Sequence, residues 1–311
     1  MWHRGATWCT LNPMGSALTT IGLPVALGII MFGLGLTLTL GDFKRVLKHP
    51  KAVFIALVCQ LILLPAVCFG LVLLFQLPPV LAVGMMMLAA SPGGTTANLY
   101  SHLFRGDVAL NISLTAVNSV IAVVTLPIIT NIAIWYFQPF DDQLGLQWGK
   151  TLEVFAIVLL PVALGMLVRH FWPRFADRMD RPVRIASVII LVVVIGGAVA
   201  TNWQLLVDNF LSLAGITVLF CVISLAVGFW VPRLFGVSDR EAIACSFEIG
   251  IHNATLAIVI AQSVLGSMEL SLPAAVYGVL MFFVAFAFGF VVRGKIQKGS
   301  DAAKASARPT S

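Results

Sequence analysis

Charge is what this sequence has least of. Only 10% of its 311 residues are Asp, Glu, Lys or Arg, against about 25% in soluble domains. That is too few to cover a water-facing surface. Cysteine is sparse too. Four of the five (Cys59, Cys68, Cys221 and Cys245, with Cys9 apart) lie in apolar runs, and no CxxC pair occurs. A disulfide framework and a zinc site are therefore excluded, and the thiols read as small buried residues. No HExxH metalloprotease signature is present. The opening "MWHRGATWCTLNPMGS" lacks the charged-then-apolar layout of a cleavable signal peptide. What the chain does have is apolar length: 59% hydrophobic residues and a mean hydropathy of +1.00. It reads as an all-α polytopic membrane protein.

A spanning helix needs about 20 apolar residues. Nine runs qualify, at roughly 17–40, 52–75, 80–104, 107–137, 151–172, 184–206, 210–236, 239–266 and 271–293. "FQLPP" separates spans two and three, and "FRGD" from Phe104 to Asp107 demands a tight turn before span four. Of the 19 basic residues, 17 follow spans one, three, five, seven and nine; only Arg4 and Lys150 fall on the other side. The positive-inside rule then puts the N-terminus outside and the C-terminus in the cytoplasm. The net charge of +6 is thus a topology signal, which argues against a nucleic-acid partner. Residues 1–16 form an external segment, 17–293 the transmembrane domain and 294–311 a polar, disordered cytoplasmic tail.

Two spans are interrupted. Span three is apolar to Ala90, then meets "SPGGTTAN". Pro92 lacks an N–H and turns Ser91 from helical geometry, while Gly93 and Gly94 permit an unwound backbone. Thr95 and Thr96 are placed to cap a second half-helix. Span eight repeats the layout with "EIGIHN", where Gly250 allows the break and Asn253 caps the second half. Broken span three is succeeded by span four, and broken span eight by span nine. An odd number of spans sets these units in opposite orientation, as an inverted repeat requires. Unwound backbone at membrane depth is tolerated only inside protein or along a cavity, and paired broken helices are a mark of secondary transporters.

The polar residues gather at these breaks. Glu248 alone among 13 acidic residues sits deep in an apolar run, where a carboxylate costs about 2.5–3.5 kcal/mol. Asn111, Thr115 and Asn118 share one face of span four. Gln60 is a lone amide five residues before Pro65, and His252 lies at the second break. Oxygen donors dominate the set, which suits a hard cation such as sodium rather than zinc or iron. The cation's charge would offset the burial of Glu248.

These residues resemble the bile acid:sodium symporter family. The resemblance runs from about residue 24 to 293 and rests on "GIIMFGLGLTL", Gln60 with Pro65, "SPGGTTANLYSHLFRGDVALNISLT" and "EIGIHNATLA". It implies nine or ten spans in interleaved core and panel subdomains with crossed broken helices, sodium coupling and no other cofactor, and an organic anion as substrate. The missing first span matches nine-span members, placed in the inner membrane and functional as monomers. Carried over by position, one sodium site uses Asn98, Thr115 and Glu248, with Asn111 nearby. The second uses Gln60, Glu248, His252 and the carbonyls of Ile249 and Ile251. Two departures stand out: Ala97, where some relatives offer serine, and His252, where glutamine is familiar.

No arginine clamp lies inside a span, so the anion meets the half-helix N-termini near Thr95, Thr96, Asn98 and Asn253. Bile acids, keto acids and small hydroxy acids all remain open. Two other readings stay beside sodium symport. One is proton coupling through Glu248 and His252. The other is an intramembrane enzyme, with a metal between those two residues, which the Gly250 break disfavours.

Overall fold

A computed structural model describes residues 23–137, 148–201 and 203–306. The expected external segment 1–16, the first turns of span one, the loop around Asp141 and residues 307–311 lie outside the described residues. All regular structure among the described residues is helical; the one β-type contact there is an isolated bridge between Gly93 and His252.

Helix α1 spans Leu23–Thr37 and α2 spans Leu40–Arg45. Between them the Asp42 carboxylate reaches back to the Thr39 N–H at 2.8 Å. Helices α3 (Pro50–Val58) and α4 (Leu64–Phe75) join through a π-helical turn over Cys59–Leu63. Pro65 lies just beyond that turn. It has no N–H to continue the ordinary ladder, and the wider turn absorbs the loss. Next come α5 (Pro79–Ala89), α6 (Thr96–Leu103) and α7 (Val108–Phe137). The expected tight turn between α6 and α7 is present. Arg105 takes a left-handed φ of 64°, and Asp107 Oδ1 accepts from the Leu110 N–H at 3.0 Å, capping α7.

Helices α8 (Trp148–Phe171), α9 (Pro173–Thr201), α10 (Trp203–Asp208) and α11 (Phe210–Leu234) come after it. α9 starts eleven residues before the expected span, because its first turns are an amphipathic stretch carrying Arg174, Arg178 and Arg181. Then come α12 (Asp239–Gly250), α13 (Ala254–Val259) with a π turn to Val264, and α14 (Leu272–Ser306). Ser238 caps α12 through a reciprocal box with Glu241. α14 continues as helix to Ser306, through residues expected to be irregular; "DAAKAS" is rich in helix formers.

Among the described residues, four helices are long and apolar enough to cross a membrane: Pro50–Phe75, Val108–Phe137, Phe210–Leu234 and Glu269–Arg293. Their outer faces carry bulky apolar side chains. Phe54, Leu74, Trp135, Leu211 and Phe283 are each 70% or more exposed, the pattern of a surface solvated by lipid.

Helices α1, α8 and α9 pack chiefly on one another. At the α1–α8 contact a Cβ on Gly35 would lie 2.2 Å from the Val162 carbonyl oxygen, and one on Gly165 would lie 2.4 Å from that of Phe32. Only glycine lets the two backbones approach so closely, the way membrane helices associate without a hydrophobic driving force. The remaining helices form a second group, in which α11 packs on α12 and α14, and α5 packs on α7.

Candidate functional site

The two interruptions lie against each other. Helix α5 ends at Ala89 and α6 begins at Thr96; α12 ends at Gly250 and α13 begins at Ala254. The intervening stretches of backbone pair antiparallel. Gly94 N–H donates to the Ile251 carbonyl at 2.7 Å, and Asn253 N–H donates to that of Pro92 at 2.8 Å. Each break thus satisfies polar groups that the other leaves free, which allows unwound backbone to be buried.

Asn253 caps α13 as expected, its Oδ1 accepting from the Leu256 N–H at 3.0 Å. Thr95 does not cap α6. Its backbone is already helical (φ −58°, ψ −23°) and its side chain makes no cap bond, because a capping hydroxyl needs extended backbone to turn back on the first N–H groups. Helix α12 ends at Gly250, where the break was expected. The glycine does not adopt a positive φ. Instead a Cβ there would meet Leu225 Cδ2 at 2.4 Å, so close packing against α11 requires the glycine.

Glu248 is 2% exposed. Thr115 Oγ1 donates to its Oε2 at 2.5 Å, and the Asn118 side chain and Gly93 N–H approach the same carboxylate. The carboxylate lies so close over Gly93 that a Cβ there would sit 2.2 Å from Oε1. One turn back, Asn111 Nδ2 donates to the Ala244 carbonyl at 2.7 Å. Three buried oxygens here have no hydrogen-bond partner, Glu248 Oε1 and the Oδ1 atoms of Asn111 and Asn118; Asn98 Oδ1, on α6, is in the same state. Buried acceptors are normally satisfied, so this cluster is an unusual concentration of unpaired oxygen.

Gln60 and His252 meet on the other flank of the first break. Gln60 Nε2 donates to the Ser91 carbonyl at 3.0 Å, and His252 Nδ1 lies 3.2 Å from the same oxygen. A carbonyl only accepts, so Nδ1 carries the proton and Nε2 keeps its lone pair. The 3.5 Å approach of Gln60 Nε2 to His252 Nδ1 is then donor against donor and not a bond. Gln60 Oε1 and His252 Nε2 are buried without partners. The imidazole lies near-parallel to Phe220 at 5.5 Å and edge-on to Tyr277 at 5.5 Å. The Ile249 and Ile251 side chains are fully buried, and the Ile251 carbonyl is engaged by Gly94.

A narrow cleft, with room for about one water, lies beside the crossing. Met31, Leu38, Leu159 and Val162 line it from the α1–α8 side, and Ser119 and Asn253 from the other. Of the four residues expected near a substrate, Asn253 lines this cleft, whereas Thr95, Thr96 and Asn98 lie off the lining. From the sequence, Asn118 showed only that it shares a face with Asn111 and Thr115; its approach to Glu248 is new. Tyr277, whose hydroxyl holds the Gly250 carbonyl at 2.8 Å, was signalled only by being a phenol within an apolar run.

Comparison with known proteins decides the family. The model of the Sodium Bile acid symporter family matches residues 24–209. The chain belongs to the sodium bile acid symporter family. The family consists of transporters, not enzymes. Similarity to individual members extends through the second break. The "Uncharacterized sodium-dependent transporter YocS" of Bacillus subtilis is 28% identical over 83% of this chain and 78% of its own length. The "Ileal sodium/bile acid cotransporter" of Homo sapiens is 26% identical over 94% of the chain and 84% of its own length. The "Probable sodium/metabolite cotransporter BASS1, chloroplastic" of Arabidopsis thaliana is 31% identical over 82% of the chain. The plant relatives are longer, and the chain spans 62% of that one.

Proposed function

We propose that this symporter moves a small organic anion together with sodium by alternating access. It does so in the inner membrane, through nine spans with an inverted-repeat core, with the N-terminus external and the C-terminus cytoplasmic. The observation that carries the reading is the set of partnerless buried oxygens around Glu248. A hard cation seeks such ligands, and its charge offsets that of the carboxylate. Glu248, Asn98, Asn111 and Thr115 form the first cation site, and Asn118 joins them. Asn111 supplies the oxygen that Ala97 cannot. The second site shares Glu248 and draws on Gln60 Oε1, His252 Nε2 and the carbonyls of Ile249 and Ile251. It offers a nitrogen in place of one oxygen, so it holds sodium more weakly than the first.

The position of the cleft supports alternating access. Its walls come from both helix groups, so a rocking of α1, α8 and α9 against the rest would open it to one side and then the other. The nitrogen at His252 also favours a second reading, in which protons replace sodium at that site.

Uptake into proteoliposomes separates the two. With a panel of organic anions and independently imposed sodium and pH gradients, sodium symport predicts accumulation driven by sodium alone. Accumulation driven by pH without sodium establishes the proton reading instead.

A further inference from the structure

A proline inside a membrane helix leaves a carbonyl without its N–H, and neighbouring groups usually take that carbonyl up. At Pro65 the π turn decides which carbonyl is left. The Leu64 N–H reaches back to the Cys59 carbonyl. In an α-helix that N–H would serve Gln60 instead. In the wider register the donor for Gln60 would be the N–H of residue 65, and proline has none. The Gln60 carbonyl therefore has no partner in either ladder. The burial pattern records the same extra residue. Ala52, Ala56 and Cys59 are buried at helical spacing, which makes Leu63 the next inward position. Leu63 is instead 38% exposed, and the buried series resumes one residue late, at Leu64, Cys68 and Leu71.

No local group takes this carbonyl up. The helix from Pro50 to Phe75 contains no serine or threonine, and the Gln60 side-chain amide is spent on the Ser91 carbonyl at 3.0 Å. Nor does the carbonyl face lipid. A helical carbonyl points along the axis toward the residue one turn on. Here that stripe runs from Gln60 to Leu64 and Pro65, all of them buried. Other carbonyls freed at the crossing are served: that of Pro92 by the Asn253 N–H, and that of Gly250 by the Tyr277 hydroxyl. The Ile251 carbonyl, expected at the second cation site, is held by the Gly94 N–H at 2.7 Å. That site is thus short of oxygen, and an unserved carbonyl belongs to the same residue as its amide Oε1.

We infer that the main-chain carbonyl of Gln60, released by Pro65, is a cation ligand of the second site. The inference rests on the sodium reading above. A carbonyl suits a hard cation and does not carry a proton, so it counts for sodium over protons at this site.

The test is the melting temperature of the purified protein over graded sodium chloride, with potassium chloride holding the ionic strength and no substrate present. Pro65→Ala supplies the missing N–H, so sodium must compete with a hydrogen bond for the carbonyl. The α-hydroxy analogue of leucine in place of Leu61 turns the Gln60 amide carbonyl into a weaker ester carbonyl and alters no side chain. Each should raise half-saturating sodium about fivefold, and sodium-driven uptake should shift by the same factor. Pro127→Ala, which removes the interior proline of α7, is the control and should leave the sodium curve unchanged. A parent-like curve in the ester variant overturns the inference, as does an equal shift in Pro127→Ala. If Pro65→Ala fails to fold, the ester variant decides alone. A parent whose melting temperature ignores sodium defeats the sodium reading itself, and the inference with it.

Discussion

Replacing Gly93 with alanine should damage cation binding without replacing any cation ligand. The new Cβ would stand 2.2 Å from Glu248 Oε1 and 2.3 Å from Cδ, well inside contact distance, so one of the two must move. The backbone around residue 93 is held on both sides, by the Pro92 carbonyl at 2.8 Å and the Gly94 N–H at 2.7 Å. The carboxylate is the flexible partner and will be displaced, breaking its bond from Thr115. Hydrogen bonds to charged groups contribute about 1.5–3 kcal/mol, so half-saturating sodium should rise roughly 10- to 150-fold. Gly94→Ala is the control. Its Cβ would meet nothing closer than the His252 carbonyl at 3.3 Å, and its φ is not positive. The assay is sodium-dependent uptake at graded sodium, with melting temperature recorded to detect general overpacking. Parent-like sodium dependence in Gly93→Ala, or equal damage in Gly94→Ala, would refute the reasoning.

Two further outcomes are expected. His252→Gln replaces a bare ring nitrogen with an amide oxygen at the second site and should lower half-saturating sodium; a rise would show that the imidazole is not standing where a sodium ligand is needed. A reporter fused after Ser311 should be cytoplasmic and one in the loop near Asp141 external; both on one side would sink the nine-span arrangement.

The breaks were legible in the sequence because their causes are local. Pro92 deletes an N–H, and no helix continues smoothly through "SPGG". Asn253 as a cap was readable for the same reason. What depended on distant partners was not. Gly93 and Glu248 are far apart in the chain, and nothing near Gly93 announces that a carboxylate will lie over it. The place of Gly250 was legible, but its packing was not, since Leu225, the residue that excludes a side chain there, is on another helix. Thr95 has the composition of a cap but lacks the backbone angles, which sequence does not display. The shared face of Asn111, Thr115 and Asn118 came from helical periodicity, whereas its partner emerged only from the packing of α7 on α12.

The central claim is that Glu248 holds a sodium ion. It is tested most directly without any substrate, by the melting temperature of the purified protein in sodium chloride against potassium chloride. A ligand that binds only the folded state stabilises it in proportion to the logarithm of its concentration over Kd. The parent should melt higher in sodium, by an amount that grows with concentration. Glu248→Gln keeps the shape and removes the charge, and should melt at the same temperature in both salts. A variant that retains the parent's sodium-specific stabilisation, or a parent that shows none, would contradict the account.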